Sequence, residues 1–90
     1  MVNRPQQIYK TFPPGYTVEK VAEFGSVEVS TNDTVTFYNM HASKTLLNVF
    51  IFKKTDGTAL TYTPVNNIIT ITSAGVTNQD CMYVAFGYKP

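Results

Sequence analysis

The sequence predicts an all-β domain: a small antiparallel β-sandwich or barrel, of jelly-roll or immunoglobulin-like type, with seven to eight short strands and an extended N-terminal arm. Three observations predict it. From Tyr16 onward apolar side chains recur at every second position, the period of a strand with two distinct faces. No segment sustains the 3.6-residue period of a helix. Turn-forming clusters such as Thr31-Asn32-Asp33, Asp56-Gly57 and Pro64-Val65-Asn66-Asn67 punctuate the chain at roughly even spacing, as in sandwiches and barrels.

The chain has 90 residues, the size of one domain, divided here into an arm over 1–15 and a β domain over 16–90. Hydrophobic residues are 43%, enough for a core, whereas charged residues are 14% against about 25% in an average soluble domain. Thr, Asn, Ser and Gln must therefore supply most of the polar surface. A net charge of +1 gives no electrostatic case for nucleic acid or an anionic membrane.

In the arm, Pro5, Pro13, Pro14 and Gly15 exclude a regular helix and favour an extended path. Ile8, Tyr9 and Phe12 are unusual for a disordered leader and suit an arm lying across a sheet, its own or a neighbour's. The first strand of the domain alternates Tyr16, Val18, Lys20, Ala22 and Phe24 against Thr17, Glu19, Val21 and Glu23, and Gly25-Ser26 is read as its end. Val27 and Val29 then alternate with Ser26, Glu28 and Ser30 as a second strand. Past the turn at 31–33, Val35 and Phe37 alternate with Thr34, Thr36 and Tyr38, and His41-Ala42-Ser43 forms the next connection.

Thr45 to Thr63 reads as a long β-hairpin turning at Asp56-Gly57. A two-residue turn would set Lys53 opposite Leu60, mixing charge into the apolar face. A three-residue loop with Gly57 in a bulge sets Phe52 opposite Leu60 and Phe50 opposite Tyr62, and is preferred. Pro64 to Asn67 ends the second arm, IITIT over 68–72 is a further strand, 73–80 a loop, and 81–88 the last strand, with Met82, Val84, Phe86 and Tyr88 on one face and Cys81, Tyr83 and Ala85 on the other.

The strand over 46–52 is apolar on both sides: Leu46, Phe50 and Phe52 on one, Leu47, Val49 and Ile51 on the other. Antiparallel strands apolar on both faces need a second cover. The arm or another subunit must supply it, so a homo-oligomer is expected, with Ile8, Tyr9, Phe12, Leu47, Val49 and Ile51 as its interface residues.

No constellation for catalysis, and no metal or cofactor site, is visible. His41, the sole histidine, has Asn39, Ser43 and Lys44 for neighbours and reads as a surface turn residue. Cys81, the sole cysteine, allows no intramolecular disulfide and reads as a small buried residue rather than a nucleophile. Glu19 and Glu23 share a strand face about 13 Å apart at ~3.3 Å per residue, too far to act as a pair. No phosphate-binding glycine loop is present. The longest apolar run, 46–52, falls short of the ~20 residues a helical membrane span needs, and the polar opening MVNRPQQ is not that of a secretory signal. Synthesis in a cytoplasm is expected.

Val27 to Met40, VEVSTNDTVTFYNM, resembles the early strands of cupredoxins. A blue-copper centre needs two histidines, and only His41 exists, so the resemblance implies a sandwich strand pair and no copper. The Thr- and Asn-rich strands, absence of Trp, low charge, arm and doubly apolar strands are together similar to small virion proteins of viruses and tailed phages, capsid decoration proteins in particular. That resemblance implies a compact β protein, often a trimer, that binds a capsid lattice and contacts neighbours through arms. The expected function is thus non-enzymatic: a structural protein of a virion, made in the host cytoplasm, decorating or cementing a capsid, with itself and a capsid or other virion protein as partners. Two alternatives stand beside it. A carbohydrate-binding module would use Tyr16, Tyr38, Tyr62, Tyr83 and Tyr88 as stacking platforms. An OB-type single-strand nucleic-acid binder would use Tyr9-Lys10 and Phe52-Lys53-Lys54.

Overall fold

A computed structural model describes residues 1–12 and 19–90. Pro13, Pro14 and Gly15 of the expected arm, and the expected start of the first domain strand at Tyr16, Thr17 and Val18, lie outside the described residues. The described chain is all β: β1 (Asn3–Arg4), β2 (Gln6–Phe12), β3 (Lys20–Val29), β4 (Thr34–Thr36), β5 (Asn48–Lys53), β6 (Tyr62–Val65), β7 (Ile68–Ile71) and β8 (Gln79–Tyr88). They form two four-stranded sheets, β1-β4-β7-β6 and β2-β3-β8-β5, antiparallel throughout except for the pairing of β1 with β4.

The N-terminal segment contributes an edge strand to each sheet. Asn3 and Arg4 pair with Thr34 and Val35 in the first sheet, and Gln6 to Phe12 pair with β3 in the second. Pro5 stands between them, where a residue with no N–H costs no ladder bond. Arg4 fastens this start of the chain: its Nε donates to Asp33 Oδ2 at 2.6 Å, its Nη2 donates to Ser30 Oγ and Asn78 Oδ1, and its Nη1 to Glu28 Oε1.

Gly25-Ser26 does not end a strand, contrary to the sequence reading. β3 runs unbroken from Lys20 to Val29, paired residue for residue with β8. Glycine serves here as a close-approach residue: a Cβ at Gly25 would lie 2.2 Å from the Gln7 carbonyl oxygen and 3.0 Å from the Tyr83 hydroxyl.

The core lies between the sheets. Val35, Phe37, Ile69 and Ile71 face it from the first sheet, and Val21, Val27, Val29, Val49, Ile51, Cys81, Tyr83 and Ala85 from the second. Phe37 meets Tyr83 edge to face at 5.3 Å. Small residues beside them (Gly25, Cys81, Ala85) make room for the two rings, the large-against-small alternation that fills a sandwich.

The long hairpin is overturned. Its first arm, β5, pairs with β8 in the second sheet, whereas Tyr62 opens β6 and pairs with Ile71 in the first. Only the tip is hairpin-like: Phe52 faces Ala59, Lys53 N–H donates to Thr58 O, and Gly57 N–H donates back to Lys53 O. The loop is therefore Lys54 to Gly57, a residue longer than the preferred reading, and Phe52 does not face Leu60 nor Phe50 Tyr62. With that register, Val49 and Ile51 point into the core, and Phe50 and Phe52 point outward.

Candidate functional site: an aromatic outer sheet face

Strand registers decide which side chains share the outer face of the second sheet. Across β2, β3, β8 and β5, one row is Phe12, Ala22, Phe86 and Asn48; the next is Lys10, Phe24, Val84 and Phe50; the third is Gln7, Ser26, Met82 and Phe52. Tyr9 occupies a bulge between Ile8 and Lys10 that turns its ring onto the same face. There it lies 5.9 Å from the Phe24 ring, and its hydroxyl is 3.1 Å from Ser26 Oγ.

The rings associate along diagonals, the second-neighbour contacts of a pleated sheet. Phe12 stacks on Phe24 at 6.1 Å, and Phe50 meets Phe86 edge to face at 6.4 Å. Lys10 Nζ sits 5.5 Å over the Phe12 ring. These contacts leave much of the surface wet: Phe50 is 55% exposed, Tyr9 50%, Phe12 46% and Phe86 37%. Taking ~200 Å² for an aromatic side chain, these four rings expose roughly 400 Å², the size of the largest apolar patch on an ordinary monomer, which is often a functional one. Charged residues cap both ends. Glu28 pairs with Asp80 at one, and Lys20 pairs with Tyr88 at the other, where Lys44 Nζ lies 5.1 Å over the tyrosine ring. An open cleft of about 300 Å³ lined by Gln7, Ser26, Glu28 and Asp80 adjoins the acidic end.

The expected interface residues divide three ways. Tyr9 and Phe12 stand on this face. Ile8 is exposed but opposite Gly25, on the other side of β2. Leu47 is exposed just before β5, while Val49 and Ile51 are buried by the first sheet and offer no surface. The doubly apolar character of β5 and β8 is real, but its uncovered side is the one carrying Phe50, Phe52, Met82, Val84 and Phe86. Assigning Phe50 to a hairpin partner concealed this. The alternation in β8 carried the needed signal, since its inner set includes the small Cys81 and Ala85.

The remaining candidates are dispersed. Of the proposed tyrosine platforms, Tyr83 is core, Tyr62 bonds Val49 N–H and Asn48, Tyr38 is exposed beyond β4 beside Asn3, and Tyr16 is outside the described residues. Tyr9-Lys10 and Phe52-Lys53-Lys54 fall on opposite edge strands, and two four-stranded sheets are not the five-stranded barrel of an OB fold. His41 lies in a loop, its Nδ1 accepting from Ser43 N–H. The Cys81 thiol is buried, and burial pushes its pKa up to about 11, so it is protonated and inert at neutral pH.

Glu23 is fully buried, with Tyr83 Oη–H donating to one oxygen and Asn39 Nδ2 to the other. Burial, then that bond, raises the Tyr83 pKa, which keeps the phenol neutral as donor. The trio locks the loop after β4 to the second sheet. Among the described residues no three of His, Cys, Asp or Glu cluster as metal ligands, and no helix is long and apolar enough to cross a membrane. No protein family, curated protein or solved structure matches the chain.

Proposed function

We propose that this protein is a non-enzymatic structural protein that works by burying the outer face of its β2-β3-β8-β5 sheet against other polypeptide, as a component decorating or cementing a virion capsid. The observation that carries the reading is the half-exposed ring set Tyr9, Phe12, Phe50 and Phe86 on one rigid, four-stranded surface. Rings already held by sheet registers lose little further freedom on docking, which suits a surface built for stable contact. Jelly-roll is the favoured form of the sandwich. The nested pairing of β3 with β8 and β4 with β7, with the tip contact of Phe52 and Ala59 inside them, is the order of a rolled two-strand ribbon. In this reading the N-terminal segment works as an arm, with Tyr9 and Phe12 extending the docking face to the sheet edge.

The test is co-sedimentation with virus particles formed in the protein's presence, and the temperature at which those particles release their genome. Wild type is expected to stay with particles and raise that temperature. Phe50→Ser/Phe86→Ser, outward-facing and compatible with folding, is expected to do neither. Equal behaviour of the two proteins overturns the reading.

A further inference from the structure

We infer that one occupant of the aromatic face is the same face of a second copy, related by a two-fold axis running across the strands along the row Lys10, Phe24, Val84 and Phe50. This rests on the assembly reading above and names its partner and orientation.

Identical faces packed together need a two-fold axis lying in the interface plane. An axis along the strands would set the Glu28 and Asp80 row over itself, juxtaposing four carboxylates. An axis across the strands reverses strand direction instead. Lys20 then lies over Glu28 of the second copy, and Lys44, resting on Tyr88, over its Asp80. Phe24 and Val84 stand midway between these ends on β3 and β8, four residues from Lys20 and Glu28, or from Tyr88 and Asp80. The reversed face therefore superposes charge on opposite charge, and strand by strand Phe12, Ala22, Phe86 and Asn48 cover Gln7, Ser26, Met82 and Phe52, while Phe24, Val84 and Phe50 meet their own counterparts on the axis.

Other charges are compatible with this. Arg4, 3.4 Å from Glu28, is held at 2.6 Å by Asp33. Asp80 has no side-chain partner among the described residues. Lys53 pairs with Cys81, and Lys54 N–H donates to Asp80 O. Lys54 thus ends the Glu28 and Asp80 row at the β5 edge, where the two-fold sets it over the residues preceding Asn48 and not over Lys20 or Lys44. Lys10, which meets its own counterpart on the axis at the exposed rim, turns its Nζ onto Phe12. An interface twist of about 30° between aligned sheets moves the end rows sideways by little more than one strand spacing, a distance a lysine side chain spans. Four strands at ~4.8 Å and the eight-residue rise from Lys20 to Glu28 frame roughly 500 Å² per copy, or about 1,000 Å² in all, the lower limit for a specific interface. A reversible dimer of micromolar affinity follows.

Analytical ultracentrifugation of charge reversals tests the orientation. Wild type is expected to dimerise with a Kd of roughly 1–100 µM. Lys20→Glu and Glu28→Lys should each weaken it at least tenfold, because each sets like charges face to face. Their equimolar mixture should pair within about threefold of wild type, since one variant then carries acid at both positions, the other carries base at both, and every facing pair is of opposite sign. The doubly reversed Lys20→Glu/Glu28→Lys protein should do the same, with unchanged circular dichroism showing that folding is intact. A wild type that stays monomeric at about 100 µM, reversals that dimerise like wild type, or a mixture no tighter than its components each overturns the two-fold. If wild type is monomeric while Phe50→Ser/Phe86→Ser still abolishes particle binding, the dimer is wrong and the assembly reading stands.

Discussion

The two sheets share one core yet present opposite outer faces. Outward from the first sheet point Asn3, Thr34, Thr36, Thr63 and Thr70, with Ile68 and Val65 at one end. These polar groups are largely occupied within the chain: Asn3 Oδ1 accepts from Thr34 Oγ1 and Thr36 Oγ1, and beyond the strands Thr72 donates to Thr61, whose N–H donates to Ser73. Outward from the second sheet point rings that stay 37–55% exposed even after their contacts with one another. Threonine keeps a β-rich surface wet and self-satisfied. Phenylalanine at the same pleat positions has nothing to gain from water, so the contrast is between a polar outer face and an apolar one, the face that the proposed function assigns to docking.

The sharpest way to break this comparison is within β5, where adjacent residues point to opposite sides. Ile51→Ala removes a side chain only 2% exposed and should cost about 2–5 kcal/mol in urea unfolding. Phe50→Ala, measured at submicromolar concentration, should cost under about 1 kcal/mol despite the larger deletion. Equal costs would mean that the Phe50 face is already covered within one chain.

A second prediction concerns how the polar side is held. Burial would raise the Asp33 carboxyl pKa, but hydrogen bonds from Ser30 N–H, Arg4 and Val2 N–H outweigh it and leave the pKa below the ordinary value. A folded pKa lower than the unfolded one, ~3.9, stabilises fully above the unfolded value and is lost as pH falls through the folded one. Wild type should therefore weaken below about pH 4. Asp33→Asn should lose about 2 kcal/mol at pH 7 and show a shallower decline between pH 4 and pH 2 in the same unfolding assay. The smallest effect is expected from Thr70→Val on the first sheet's outer face. It should shift stability by no more than about 0.5 kcal/mol and leave sedimentation unchanged; a new association would show that any apolar gain on a sheet face suffices.

Much of the architecture was legible in the chain because strand alternation is local. In β8, Cys81, Tyr83 and Ala85 against Met82, Val84 and Phe86 could be read directly and is how the strand sits. So could the turns at Asn32 and Asn66, both of which adopt positive φ. What failed were inferences that crossed between strands. Gly25 looked like a break because its reason for being glycine, the Gln7 carbonyl and Tyr83 hydroxyl, comes from other strands. The alternation did not show that the Glu23 face is the inner one, because its donors, Tyr83 and Asn39, lie 60 and 16 residues away.

The aromatic face shows the same division. By itself the sequence determined that β5 and β8 carry apolar side chains on both sides, and therefore that one side would lack cover. Which side was decided by tertiary pairing: a four-residue tip and a crossover of β6 to the other sheet put Val49 and Ile51 inside and Phe50 outside. A period of two distinguishes two faces without saying which is inner, and that sign is set only by what packs against the strand.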